Sequence, residues 1–152
     1  MQVTVDVGSA LQTIGVVVFA LLVVGVFIML VSRVRNFFAS RSFEVSDRKG
    51  MQRRWVQIAE MLDQPGELSR KMAVLEADKL LDTALKSLAM SGETLGERLK
   101  FAQYKYPELR DVWWAHRIRN QLAHEASYHL EAGMAKSALK AFEKALKRLG
   151  AI

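Results

Sequence analysis

The 152 residues include no cysteine, and proline occurs only at positions 65 and 107. Without thiols there are no disulfides and no thiolate metal sites, which agrees with a reducing compartment. No stretch alternates apolar and polar side chains with the period of two that a half-buried strand needs. A glycine-rich phosphate loop, a Ser/His/Asp set in a recognisable context and glycosidase-like paired carboxylates are all missing. Charge is scarce at one end, where residues 1–32 contribute only Asp6.

The formal net charge is +6, and its placement matters more than its size. Residues 33–54 hold seven basic side chains against Glu44 and Asp47, whereas residues 55–152 hold 15 basic and 13 acidic ones. The excess therefore flanks the uncharged end and does not cover the rest. This argues against an extended nucleic-acid-binding surface, because that affinity comes mainly from phosphate neutralisation.

Ile14 to Val31 carries no charged or strongly polar side chain. At 1.5 Å per residue it would span about 27 Å as a helix, close to the hydrocarbon thickness of a bilayer. A signal peptide usually has a basic start and a shorter apolar run, and residues 1–13 contain neither Lys nor Arg. We expect a transmembrane helix over 14–32, preceded by a short extracytoplasmic segment (1–13). Arg33, Arg35 and Arg41 follow the apolar run. The positive-inside bias puts the N-terminus outside and the remainder in the cytoplasm, at the cell's inner (plasma) membrane. Residues 33–50 read as a basic juxtamembrane linker whose arginines can meet lipid headgroups.

From 51 to 150 the pattern is helical, and five helices with short connections predict a small all-α bundle. Gln52–Leu62 has Trp55, Ile58, Met61 and Leu62 on one side, and Pro65-Gly66 breaks it. Glu67–Met90 follows, with Gly92 as a candidate stop. Thr94-Leu95-Gly96-Glu97 fits a capping box opening the next helix, and Tyr106-Pro107 closes that one. Arg110–Glu125 forms the fourth helix. Glu131–Leu149 forms the fifth, with Ala135, Ala138, Leu139, Phe142 and Leu146 inward and Lys136, Lys140, Lys144 and Lys147 outward.

Arg110–Glu125 holds two of the three histidines and two of the three tryptophans. At about 100° per residue, Arg119 falls inside the apolar arc, with His116, Asn120 and His124 along its edge. A cation on a buried stripe needs an acceptor. Glu76, Asp78, Asp82 and Asp111 are the candidates for Arg119. His124 can cap the end of its own helix, and His116 reads as a partly exposed packing residue. One of Trp113 and Trp114 can be core while the other anchors a partner, and His129 has no evident partner. His116 and His124 stand about 12 Å apart along a helix without a carboxylate cluster, so no metal and no cofactor is expected.

Arg119-Asn120-Gln121-Leu122-Ala123-His124 resembles the Arg-x4-6-His motif of the HEPN superfamily, in which a polar residue often follows the arginine. The resemblance covers about residues 67–149. It implies a compact all-α domain akin to metal-independent endoribonucleases whose site forms where two motifs meet across a homodimer. On that reading His124 serves as base or acid, Arg119 holds the phosphate, and Asn120 orients the imidazole or a phosphate oxygen. The alternative is a non-catalytic, membrane-tethered module that dimerises or docks an unknown protein. A third possibility is one half of a toxin–antitoxin or defence pair. The partners implied are membrane lipid, a second copy, and RNA or a protein.

Overall fold

A computed structural model describes the backbone of residues 7–39, 43, 45–125 and 127–152, and the side chains of 14–31, 43, 45, 47–125 and 127–152. These residues form six α-helices, one 3-10 helix and no strand. The chain divides into two compact units, residues 1–41 and 42–152.

The first unit is the helix α1 (Val7–Ala39). Its Ile14–Val31 stretch has a mean hydropathy of 3.2, and none of it is buried by other parts of the protein. It is long and apolar enough to cross a bilayer. The helix continues on both sides of the expected 14–32, because nothing in Val26–Ala39 breaks it. Arg33 and Arg35 therefore lie on helical backbone, their side chains outside the described ones, and Arg41 lies outside the described residues. The stretch expected as a linker (33–50) is correspondingly helical at both ends, since α2 already begins at Val45.

The second unit contains α2 (Val45–Asp63), α3 (Glu67–Ser87), α4 (Leu95–Lys105), a 3-10 helix (Pro107–Val112), α5 (Trp113–His124) and α6 (Ala132–Leu149). Helix α3 is the central element, packing against α2, α4, α5 and α6. Ala73, Val74, Ala77, Leu81, Ala84 and Leu85 recur on its buried face at helical spacing. Leu68 and Met72, at the start of the same helix, are exposed. Phe142, Ile58, Leu99, Leu109 and Leu146 complete the core from the other elements. Helix α6 buries the five predicted residues and exposes the four predicted lysines.

Two further helix boundaries differ from those expected, each for a local reason. Helix α3 stops at Ser87 and not near Met90. Ala89 takes a left-handed conformation (φ 48°), and Met90 N–H donates to Leu85 O while Ala89 N–H donates to Lys86 O. That pair of bonds is a Schellman stop, here with alanine in the usual glycine position. The predicted helix Arg110–Glu125 is in fact a 3-10 turn followed by α5 from Trp113. Pro107 starts that turn without an N–H to give, and Leu109 N–H reaches only as far as Tyr106 O at 3.0 Å.

Candidate functional site

The site lies where α3, α4 and α5 meet, and two aspartates on α3 organise it. Asp78 and Asp82 are four residues apart and so share a helix face. Asp78 follows Val74 by four residues and precedes Leu81 by three, which puts a carboxylate on the buried stripe. It is 2% exposed. A buried charge of this kind requires partners, and α5 supplies them.

His116 Nδ1 lies 2.7 Å from Asp78 Oδ1, and Arg119 Nε lies 3.0 Å from Asp78 Oδ2. The arginine contact is an ion pair whose N–H is not aimed for a hydrogen bond. Arg119 Nη1 donates to Asn120 Oδ1 at 3.1 Å, and Asn120 Nδ2 stands 3.3 Å from His116 Nε2. Four side chains thus form a closed ring. Its hydrogen-bond directions follow from arginine being a donor only. The Asn120 oxygen must face Arg119, so the amide NH2 faces His116 and Nε2 accepts. The imidazole N–H then sits on Nδ1 and donates to Asp78. Trp113 packs edge-on against His116, with ring centroids 6.1 Å apart, and holds the imidazole from the other side.

Asp82 holds a second cluster. Its Oδ1 accepts from Arg98 Nε at 2.8 Å and its Oδ2 pairs with Lys86 Nζ at 2.7 Å. Burial pushes the Asp82 carboxyl up, but the hydrogen bonds and charges of Arg98 and Lys86 outweigh it and leave the carboxyl below its ordinary range. Arg98, 6% exposed, also donates to the backbone carbonyls of Gly92 and, at 3.0 Å, Glu93. It thereby fastens the α3–α4 connection. Gly92 sits at φ 134°, and a Cβ there would come within 2.7 Å of Arg98 N, so both conformation and space favour glycine. The predicted capping box closes the same connection. Thr94 Oγ1 accepts from Glu97 N–H at 3.2 Å, and Glu97 Oε2 accepts from Glu93 N–H at 2.7 Å, one residue before the usual position.

All three predicted site residues line one open cleft of about 750 Å³, together with Asp78, Asp82, Arg98 and His116. Arg119 and Asn120 are joined in the ring and half-buried. His124, exposed at the last turn of α5, takes no part in the ring. The cleft's basic residues Lys79, Lys86, Arg98 and Arg119 are matched by Glu76, Asp78, Asp82 and Glu93. Such a balance creates no strong field to collect a polyanion.

His116 is the main departure from expectation: it is 8% exposed and bonded to a buried acid. Arg98 was not foreseen, although the wheel test that singles out Arg119 also puts Arg98 beside Leu95, Leu99 and Ala102 on the buried face of α4. Trp113 and Trp114 are both half-buried, so neither is a free anchor. His129, for which no partner was evident, has Nδ1 3.1 Å from Glu67 Oε2. Glu67 also pairs with Lys71 and accepts from Leu130 N–H at 3.0 Å. The Lys71, Leu130 and His129 bonds hold the Glu67 carboxyl down to about 2. Among the described residues no three His, Asp or Glu side chains group as a metal-binding set. Comparisons with protein-family models, curated proteins and solved structures find no match to this chain.

Proposed function

We propose that this chain is a membrane-anchored helical interaction module, with α1 crossing the bilayer once, the N-terminus outside and the helical domain in the cytoplasm. The observation that carries the non-catalytic reading is the commitment of Arg119 to Asp78, a carboxylate only 2% exposed. A guanidinium held by a buried acid and an amide serves first to tie α5 to α3. Withdrawing it to grip a phosphate would leave Asp78 with the His116 hydrogen bond but no cation, at a cost of about 2 kcal/mol. The balanced charge of the cleft supports the same reading. The module's partners are the membrane and a second copy or a protein docked at its surface.

One observation favours a second reading, the HEPN-like endoribonuclease. Arg119, Asn120 and His124 open onto the same cleft. In that case RNA is cut through its own 2′-hydroxyl. His124 exchanges the proton, Arg119 stabilises the phosphorane charge, and two motifs combine across a homodimer.

The full chain in detergent micelles, incubated with single-stranded RNA in EDTA, separates the two. The interaction module leaves the RNA intact, loses stability or self-association on Arg119→Ala, and is indifferent to His124→Ala. Cleavage leaving a 2′,3′-cyclic phosphate, and abolished by His124→Ala, would establish the enzyme instead.

A further inference from the structure

Asp78 is the deepest group in the ring, its side chain 3% exposed, and two neighbours compete for its charge. Arg119 is always a cation, whereas imidazole is the side chain that ordinarily changes charge near neutral pH. With His116 neutral, Arg119 alone neutralises the acid and Asn120 bridges the two rivals. A proton added at His116 Nε2 undoes that arrangement. Nε2–H then faces the Asn120 NH2 at 3.3 Å, donor against donor. Turning the carboxamide over offers Oδ1 to the imidazolium but sets the NH2 against Arg119 Nη1, which is also a donor. No orientation of Asn120 serves both. The acid, meanwhile, would carry two cations, leaving a net positive charge in a place water reaches poorly. One must leave. The His116 side chain is 10% exposed and stays 2.7 Å from Asp78 through a hydrogen bond. Arg119 is 37% exposed and its Nε–H is not aimed at the carboxylate, so it is the group that water can receive.

We propose that protonation of His116 hands Asp78 to the imidazolium and releases Arg119 into the cleft as an oxyanion-binding group, a step that rests on the reading of Arg119 as the tie between α3 and α5. What keeps the guanidinium from a ligand while His116 is neutral is the loss of the acid's only cation. Once the imidazolium supplies that charge, the penalty is removed. The other charges around the cleft leave the exchange open. On α3, Asp82 is held by Arg98 of α4 and by Lys86, and Glu76 is held by Arg54 of α2. Lys79 is exposed on α3, and Glu93 is exposed on the α3–α4 connection. Glu97 of α4 is bonded to Glu93 N–H. His124, exposed at the end of α5, lines the same cleft and adds positive charge when protonated, but it stands outside the ring. Among the described residues lining the cleft, none comes from α6 or the 3-10 helix. The basic and acidic side chains there balance, so one proton on His116 tips the cleft positive.

The isotope-labelled full chain in detergent micelles is followed by NMR from about pH 8 to about pH 5, where histidines ordinarily change charge. At the upper end His116 should carry its proton on Nδ1 only. On acidification Nε2 should gain a proton, and the Asn120 NH2 and Arg119 Nε–H resonances should shift with the same midpoint, the latter exchanging faster with water. Sulfate, whose charge is constant over this range, should shift the Arg119 resonance at the lower end and leave it unmoved at the upper. All of these changes should persist in His124→Ala and vanish in His116→Gln, which gains no charge. Failure of His116 to titrate before the chain unfolds overturns the exchange, as do Arg119 and Asn120 signals that stay fixed or follow His124. A released Arg119 that ignores sulfate, or a sulfate response that survives His116→Gln, overturns the anion site. Should His116→Gln fail to fold, the coincidence of midpoints and the pH dependence of the sulfate response in the parent chain decide the matter. Arg119→Ala at the upper end, read by chemical denaturation, keeps the two readings apart. Unchanged stability removes the tie itself, whereas a destabilised variant beside a pH-indifferent Arg119 in the parent removes the exchange alone.

Discussion

Asp78 and Asp82 lie one turn apart on α3, and each holds an arginine from another helix, yet the two clusters differ. Arg98 is almost wholly buried and engages all three of its nitrogens, with one carboxylate and two backbone carbonyls. Arg119 remains about a third exposed, shares its acid with His116, and opens onto the cleft. In the Asp82 cluster the cation is buried deeper than its acid, whereas in the Asp78 ring the acid is the deeper group. A buried cation saturated by backbone carbonyls fastens a loop. A buried anion that draws polar side chains toward a groove shapes a surface, so only the second arrangement leaves chemistry within reach of a ligand.

The largest expected effect is on the saturated side. Arg98→Ala leaves Asp82 with Lys86 alone and removes the donor to two carbonyls, and chemical denaturation should register a loss of about 3 kcal/mol. Arg119→Ala should cost less, about 2 kcal/mol, because water can reach part of the space it vacates. A double-mutant cycle with Asp78→Asn should show strong coupling for Arg119 and near-additivity for Arg98. Equal losses for the two arginines would erase the distinction drawn between the clusters.

Ala89→Gly sharpens the same contrast from the opposite direction. It relieves a left-handed alanine in the connection that Arg98 fastens, and should raise stability by about 1 kcal/mol. Acid titration separates both clusters from the surface. Glu67 is depressed to about 2 from an ordinary value of 4.5, so its contribution is present above pH 4.5 and fades as pH falls toward 2. Glu67→Gln should flatten that part of the stability profile and speed hydrogen exchange at Leu130 N–H. The smallest effect is expected for His124→Ala, within about 0.5 kcal/mol of the parent by thermal unfolding, since the residue is exposed and outside the ring.

Much of this could be read in advance where one side chain or one period decided the matter. The apolar run over 14–31, the face of α6 and the Thr94 cap each depend on local spacing, and the structure has them where expected. The wheel placed Arg119 beside an internal acid without saying which of four. Asp78 was selected by the way α5 crosses α3, a relation between residues 38 to 41 positions apart. His116 was misjudged for the same reason: at the edge of the α5 wheel it appears half-wet, and only α3 and Trp113 cover it. Arg98 illustrates a different gap, a cation whose acceptors are partly backbone carbonyls that no side-chain pattern announces.

The residue order alone determined that the described regular structure is all helix and that the first helix is apolar over Ile14–Val31, because period and composition act over a few neighbouring residues. Tertiary structure decided which acid each arginine meets, that His116 joins the ring while His124 stays outside, and that a formally basic chain has a charge-balanced cleft. Those outcomes depend on helices distant in sequence being brought within hydrogen-bonding range, where burial forces every charge to find its counterpart.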